Sequence, residues 1–224
     1  LALIGLVLDH RARSASLRYF RHLRPELSGD EHLGLAWRHL SAFGRVLCDR
    51  MLAYSDPQRM RIQFDVHGGA ILRQAVARGR GCLLVSAHIG NWELASQTLN
   101  RVGAGRAHLV MIESEDPGVR ALIRANMGDA PPAIIDPRDG FAASLAINAA
   151  LSAGDVVCML ADRTHPGQAW RALPFLGRDA PFPIGPFQIA AATGCLVLPC
   201  FLLKRQRHRY VLVVDRPWSI ATSC

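Results

Sequence analysis

The stretch 82-CLLVSAHIGNWELA-95 decides how the chain is read. Its first half, Cys82-Leu83-Leu84-Val85, is apolar without alternation, as a strand buried on both faces requires. The run then meets one histidine, His88, a glycine, Gly90, an asparagine, Asn91, and a carboxylate, Glu93. Strands of this kind belong to parallel sheets covered by helices, where chemistry sits beyond the carboxyl ends of strands and against helix N-termini. A strand over 81–87 therefore delivers His88 to the place where an active site is expected. Gly90 permits a tight turn, Asn91 suits the N-cap of a following helix, and Glu93 falls in its first turn, folded back toward the histidine.

The same alternation runs along the rest of the chain. Strands are predicted over 62–66, 81–87, 107–112, 133–135, 155–160, 195–203 and 210–214, with an extended segment over 170–176. Helices are predicted over 69–78, 91–101, 117–126, 141–152 and 186–193, several closed by a glycine. The last two strands flank a basic turn, Lys204-Arg205-Gln206-Arg207-His208-Arg209. Before this alternation lie two helices. One, over 10–24, interleaves Arg11, Arg13, Arg18, Arg21 and Arg24 with Leu17, Tyr19, Phe20 and Leu23, and suits an anionic membrane surface as well as a plain solvated face. The other starts at Ser28-Gly29-Asp30-Glu31 and presents Leu33, Trp37, Leu40 and Phe43 as a core face up to about Tyr54. The expectation is an α/β protein with a mostly parallel central sheet flanked by helices, preceded by N-terminal amphipathic helices. The division is 1–56 for the helical region and 57–224 for the α/β domain.

Bulk composition narrows the function classes. The chain has 224 residues, half of them hydrophobic, so a large core is accessible and disorder is excluded. Net charge is +8 from 26 basic and 18 acidic residues, which favours an anionic partner such as nucleic acid, an acidic membrane or a phosphorylated substrate. Aromatics are not interleaved with the basic residues as nucleic-acid binding would need, beyond Tyr19, Phe20 and Tyr210. The six cysteines form no C-x-x-C pair and several lie in apolar runs, so they read as small buried hydrophobes in a reducing compartment. No run of about 18 apolar residues is present, so no complete transmembrane helix is predicted. The apolar start over 1–8 reads as the tail of a longer apolar segment.

Placed five positions apart, His88 and Glu93 allow a carboxylate to accept the Nδ1–H of the imidazole. That fixes the tautomer and leaves Nε2 to take a proton from a hydroxyl. By itself H-x4-E is a weak pattern. A metal site would want a second histidine at helical spacing, and none occurs. Ser86 lies inside the strand without the G-x-S-x-G elbow of a serine nucleophile. No G-x-G-x-x-G follows a strand, so dinucleotide binding is not expected.

The wider pattern His-Ile-Gly-Asn-Trp-Glu resembles the signature of the bacterial lipid A biosynthesis acyltransferase family, the late acyltransferases related to glycerol-phosphate acyltransferases with H-x4-D/E. The resemblance continues through Arg24-Pro25-Glu26-Leu27-Ser28, through Gly154-Asp155-Val156-Val157 to Leu160-Ala161-Asp162-Arg163, and through Leu173-Pro174-Phe175-Leu176-Gly177 and Gly185-Pro186-Phe187. It implies that 57–224 is an acyltransferase domain with His88 as general base and Glu93 as its partner. Gly90 and Asn91 would shape the turn, with a backbone N–H there facing the oxyanion. Asp162 and Arg163 would line the same cleft. Arg120, Arg124 and Arg171 are further candidates for contact with a phosphate, a substrate or an acyl carrier protein.

The implied reaction moves an acyl chain from acyl carrier protein or coenzyme A to a hydroxyl of a lipid or glycolipid, with no metal or redox cofactor and no nucleic-acid partner. The implied place is the cytoplasmic face of the bacterial inner membrane, with the protein peripheral or held by a preceding helix. Many members carry Asp-Gln where this chain has Asp162-Arg163, so the acceptor need not be a lipid A precursor. The rivals are an acyl-thioester or lipid hydrolase, in which His88 activates water, and a non-catalytic binder of anionic lipid.

Overall fold

The computed structural model describes residues 9–55, 62–95, 99, 103, 105–112, 132–165 and 167–220. The chain divides into two units, Leu1–Ala53 and Tyr54–Cys224.

In the first unit, helix α1 (His10–Leu23) starts where the Asp9 carboxylate accepts the amides of Arg11 and Ala12, occupying two of the orphan donors of the first turn. All five of its arginine positions through Arg24 are exposed. Helix α2 (Gly29–Ser55) opens on a reciprocal cap. The Ser28 backbone N–H and hydroxyl both donate to the Glu31 carboxylate, at 2.9 and 2.8 Å, while the Glu31 amide leans on the Ser28 hydroxyl at 3.4 Å. Ser16 of α1 meets His39 of α2 at 2.9 Å, and the His32 ring bonds the Arg24 carbonyl at 2.9 Å, tying the two helices together within this unit.

The second unit is built on an eight-stranded sheet. Its strands are β1 (Gln63–His67), β2 (Cys82–Ser86), β3 (Ala107–Val110), β4 (Ala133–Ile135), β5 (Val156–Leu160), β8 (Leu196–Gln206), β9 (Arg209–Val214) and β10 (Trp218–Ser219). A separate two-stranded sheet holds β6 (Trp170–Phe175) and β7 (Arg178–Pro183). The main order is β1-β9-β8-β2-β5-β3-β4, with β10 paired to β8. The run β8-β2-β5-β3-β4 is parallel throughout; β8 and β9 form an antiparallel hairpin, and β1 runs parallel to β9.

Among the described residues, helices α3 (Gly69–Val76), α4 (Phe141–Ser152) and α5 (Gly185–Thr193) accompany the sheet. One sheet face, carrying Leu83, Val157 and Val197, packs against Ile147 and Leu151 of α4 and Ala190 of α5. Alternation puts Cys82, Leu84, Cys158 and Leu198 on the other face. With both faces covered, the near-continuous apolar runs follow.

Several elements differ from the sequence reading. The helix expected over 69–78 stops at Val76, and Arg78 and Gly79 close a turn on Ala75 and Val76. The helix expected over 91–101 begins as a 3-10 turn, Trp92–Leu94. The strand expected over 195–203 runs on to Gln206, so most of the basic turn is ladder, with a tight corner at Arg207 and His208. The extended segment over 170–176 is one strand of a hairpin whose partner, β7, was not foreseen. Pro174, Pro181 and Pro183 broke the alternation that would have marked it. The helix expected over 117–126, with Arg120 and Arg124, lies outside the described residues.

Candidate active site

Strand register assembles the site. In the parallel pair β2–β5, Ser86 stands opposite Leu160, and the Ala161 amide still bonds the Ser86 carbonyl at 2.9 Å. His88 and Asp162 each lie two residues past that rung, so the two strands deliver them side by side. One Asp162 oxygen faces His88 Nδ1 at 2.8 Å, and the other accepts the His88 backbone N–H at 3.1 Å. This two-point clasp fixes both the backbone and the ring of the histidine. Both side chains stay about one-third exposed, at 34% and 28%.

Arg163 Nε lies 3.1 Å from the same Nδ1. One nitrogen cannot accept from Arg163 and donate to Asp162 at once. A bare lone pair facing a carboxylate at 2.8 Å is repulsive, whereas an Nδ1–H there makes a charge-assisted bond. The proton therefore sits on Nδ1, Nε2 keeps its lone pair, and Arg163 stands beside the pair as a positive charge. The sequence reading gave Nδ1–H to Glu93; the carboxylate at that atom is Asp162's. Glu93 is half-buried in the 3-10 turn.

The turn after β2 is pressed against β8. Gly90 has φ +68, and a Cβ there would lie 1.9 Å from the Leu202 carbonyl oxygen. The Asn91 amide donates to that same oxygen at 2.9 Å. Asn91 is 2% exposed; it makes no side-chain cap, and its Nδ2 points instead at the Tyr210 hydroxyl, 3.4 Å away. Asn91 thus anchors the turn to the β8–β9 hairpin, and its amide is not available to an oxyanion. The Ile89 amide turns onto Ala87. The Gly90 amide makes no backbone hydrogen bond among the described residues.

A cleft of about 210 Å³ opens beside this turn, lined by His88, Trp92, Met111, Arg163, His165 and Gln168 among others. A smaller apolar pocket of about 40 Å³ adjoins it and shares Trp92, Val110, Met159 and Leu160. Its deeper wall is Leu84, Leu99, Leu109, Cys158 and Cys200. Trp92 packs edge-on against the His88 ring, with centroids 5.9 Å apart, and separates polar mouth from apolar interior. Arg171 lies on the exposed strand β6 and is not part of the cleft wall. Burial pushes the thiols of Cys82 and Cys200 up to about 12 and holds Cys158 well above its ordinary value, so none is a thiolate nucleophile near neutral pH. Among the described residues, no three His, Cys, Asp or Glu side chains are grouped to hold a metal ion. His165 and Gln168 were not singled out from sequence; their only signal was position in the loop that follows β5.

The α/β sheet presents a carboxylate-held histidine at its carboxyl edge, open to a cleft that adjoins an apolar pocket. A sequence model of the bacterial lipid A biosynthesis acyltransferases matches residues 13–219, and the chain belongs to that family. Membership makes it an acyltransferase, acting between an acyl donor and a lipid acceptor. Comparison with curated proteins found no match.

Proposed function

We propose that the protein moves a fatty acyl chain from a thioester of acyl carrier protein or coenzyme A to a hydroxyl of a lipid or glycolipid. His88 Nε2 takes the proton of the acceptor hydroxyl as its oxygen attacks the thioester carbonyl. Asp162 stabilises the imidazolium that forms. The tetrahedral oxyanion is met by the Gly90 amide and the Arg163 charge. Collapse breaks the C–S bond, and the imidazolium returns its proton to the departing sulfur. The reaction as written balances without a metal or redox cofactor. The acyl chain occupies the apolar pocket behind Trp92, and Glu93 supports the turn that carries His88. Arg120, Arg124 and Arg171 remain candidates for anionic parts of donor or acceptor.

We also place the enzyme at the cytoplasmic face of the bacterial inner membrane. The exposed arginines of α1 and the Lys204–Arg209 corner suit anionic headgroups. No described helix is long and apolar enough to cross a membrane.

The observation that carries the chemistry is the two-point clasp of Asp162 on His88 in the cleft that adjoins the apolar pocket. The test is transfer from labelled acyl carrier protein to total bacterial lipid extract. An acylated lipid formed by the wild type and reduced about 10³-fold in His88→Ala supports the reading. Free fatty acid with no acylated lipid points to a hydrolase. Acylated lipid formed equally by His88→Ala removes the base from this mechanism.

A further inference from the structure

Apart from Arg171, the β6–β7 hairpin plays no part in the chemistry above. Its ladder runs from Trp170 opposite Pro183 to Phe175 opposite Arg178. The corner is Leu176-Gly177, with φ of 52° and 81°, a turn with both central residues left-handed. Every residue of β6 is exposed, and a two-stranded hairpin alone in water is only marginally stable. Residues directly opposite share a face, so Leu173, Phe175, Ala180 and Phe182 make one apolar surface. The Phe175 and Phe182 rings meet edge-on at 5.5 Å. Leu173 is 45% exposed, Phe175 52% and Leu176 42%.

Three features point to what covers this surface. Left-handed corner positions favour Asn, Asp or Gly, yet Leu176 keeps a bulky apolar side chain at the tip, both strained and exposed. Arg171 and Arg178 share the apolar face, while the hairpin's acid, Asp179, lies on the other. Apolar side chains flanked by Arg178 beside the corner and Arg171 near the base suit the interfacial zone of an anionic bilayer, where the long arginine stems reach headgroup phosphates. Finally, Pro174, Pro181 and Pro183 remove donors from both strands, which disfavours pairing with a second chain. The hairpin also rises from the cleft rim: the loop carrying Asp162, Arg163, His165 and Gln168 runs straight into β6, and the Ile184 amide closes its base on Ala169 at 3.2 Å.

We propose that the β6–β7 hairpin is a membrane-inserting finger. Leu173, Phe175 and Leu176 enter the interfacial zone of the bilayer, and Arg171 and Arg178 hold phosphates of anionic headgroups. This rests on the reading that the acceptor is a lipid; the finger holds the cleft at the lipid plane.

The test attaches an environment-sensitive dye through Leu176→Cys in a Cys48→Ser/Cys224→Ser background of the whole chain. Phosphatidylcholine vesicles with phosphatidylglycerol should blue-shift the dye. Phe175→Ser/Leu176→Ser, with unchanged circular dichroism and melting, should bind these vesicles about tenfold more weakly or worse. Arg171→Gln/Arg178→Gln should weaken binding to the phosphatidylglycerol vesicles and leave phosphatidylcholine vesicles unaffected. A dye that stays unshifted while the protein sediments with vesicles overturns the finger. So does a dye that shifts with rising protein concentration or with acyl carrier protein instead of vesicles, since the occupant is then a protein. Transfer is measured separately on a water-soluble hydroxyl acceptor. Loss of transfer with the dye still entering vesicles defeats the chemistry alone; transfer with no dye shift defeats the finger alone.

Discussion

At the residue scale, His88 was legible and its partner was only half so. The histidine announced itself by ending an apolar run. Asp162 was placed in the cleft, but its bond to Nδ1 spans 74 positions and depends on the register of β2 against β5, which no local spacing encodes. Glu93, close in sequence, took that role in the reading because proximity along the chain was all that could be seen. The geometry makes a ranking. Asp162→Asn, which puts an amide where Nδ1 needs an acceptor, should lower kcat about 100-fold with little change in KM. Glu93→Gln should cost less in kcat than Asp162→Asn, and equal or larger loss would return the orienting role to Glu93. Gly90 gives a second test. Its φ is left-handed, and a methyl carbon added there would sit 1.9 Å from the Leu202 carbonyl oxygen, which leaves no room. Gly90→Ala should therefore destabilise by about 3 kcal/mol or more. Denaturant titration reads this directly.

At the element scale, strands with unbroken apolar runs and helices with a clear start were the legible parts. The cap of α2 is an example: Ser28 and Glu31 at three-residue spacing are a local device, complete within one turn. The Ser28 side chain should be worth about 1 kcal/mol, so Ser28→Ala lowers the melting temperature measurably while Ser28→Thr, which keeps the hydroxyl that donates to Glu31, holds it. The carboxylate of Glu31, held low by the two Ser28 donors, makes this cap acid-sensitive. Its contribution is present above the ordinary carboxylate range and fades as pH falls through the lowered value. The illegible elements were those whose cause is not periodicity. Four of the six residues of β7 are prolines or charges, and it forms because a two-residue corner folds it onto β6. β8 outruns its parallel partner β2 because beyond Pro199 its ladder partner becomes β9. The 3-10 turn at Trp92 follows from Asn91 spending its side chain on Tyr210 instead of a cap.

At the scale of the whole molecule, the parallel character of β8-β2-β5-β3-β4 was predictable as a class, and the strands flanking the basic turn are joined too closely for a parallel crossover, as the β8–β9 hairpin shows; the pairing of β1 with β9 was not legible, because no local spacing names its partner. The sheet's composition does carry a whole-molecule consequence. Cys82, Cys158 and Cys200 lie in three neighbouring strands, and burial lifts all three, Cys82 and Cys200 to about 12. A thiol raised on folding contributes stability that is complete below its unfolded value near 9. That contribution is lost as pH rises from there toward the folded value, because the unfolded chain releases protons that the folded chain retains. At pH 10 each of Cys82 and Cys200 should cost about 1 kcal/mol of folding stability relative to pH 8. The background is unusually quiet in this chain: the basic residues are almost all arginine, which does not titrate, with Lys204 the single lysine and only 3 tyrosines. Urea unfolding at pH 8 and pH 10 should therefore show a fall of a few kcal/mol, and Cys82→Ala and Cys200→Ala should each flatten the dependence even where they lower stability at pH 8. In the native state Cys82, fully buried, should also resist alkylation at pH 8 and react only once denaturant opens the sheet. Rapid native-state alkylation of Cys82, or a pH dependence untouched by both substitutions, would overturn this account of the buried thiols.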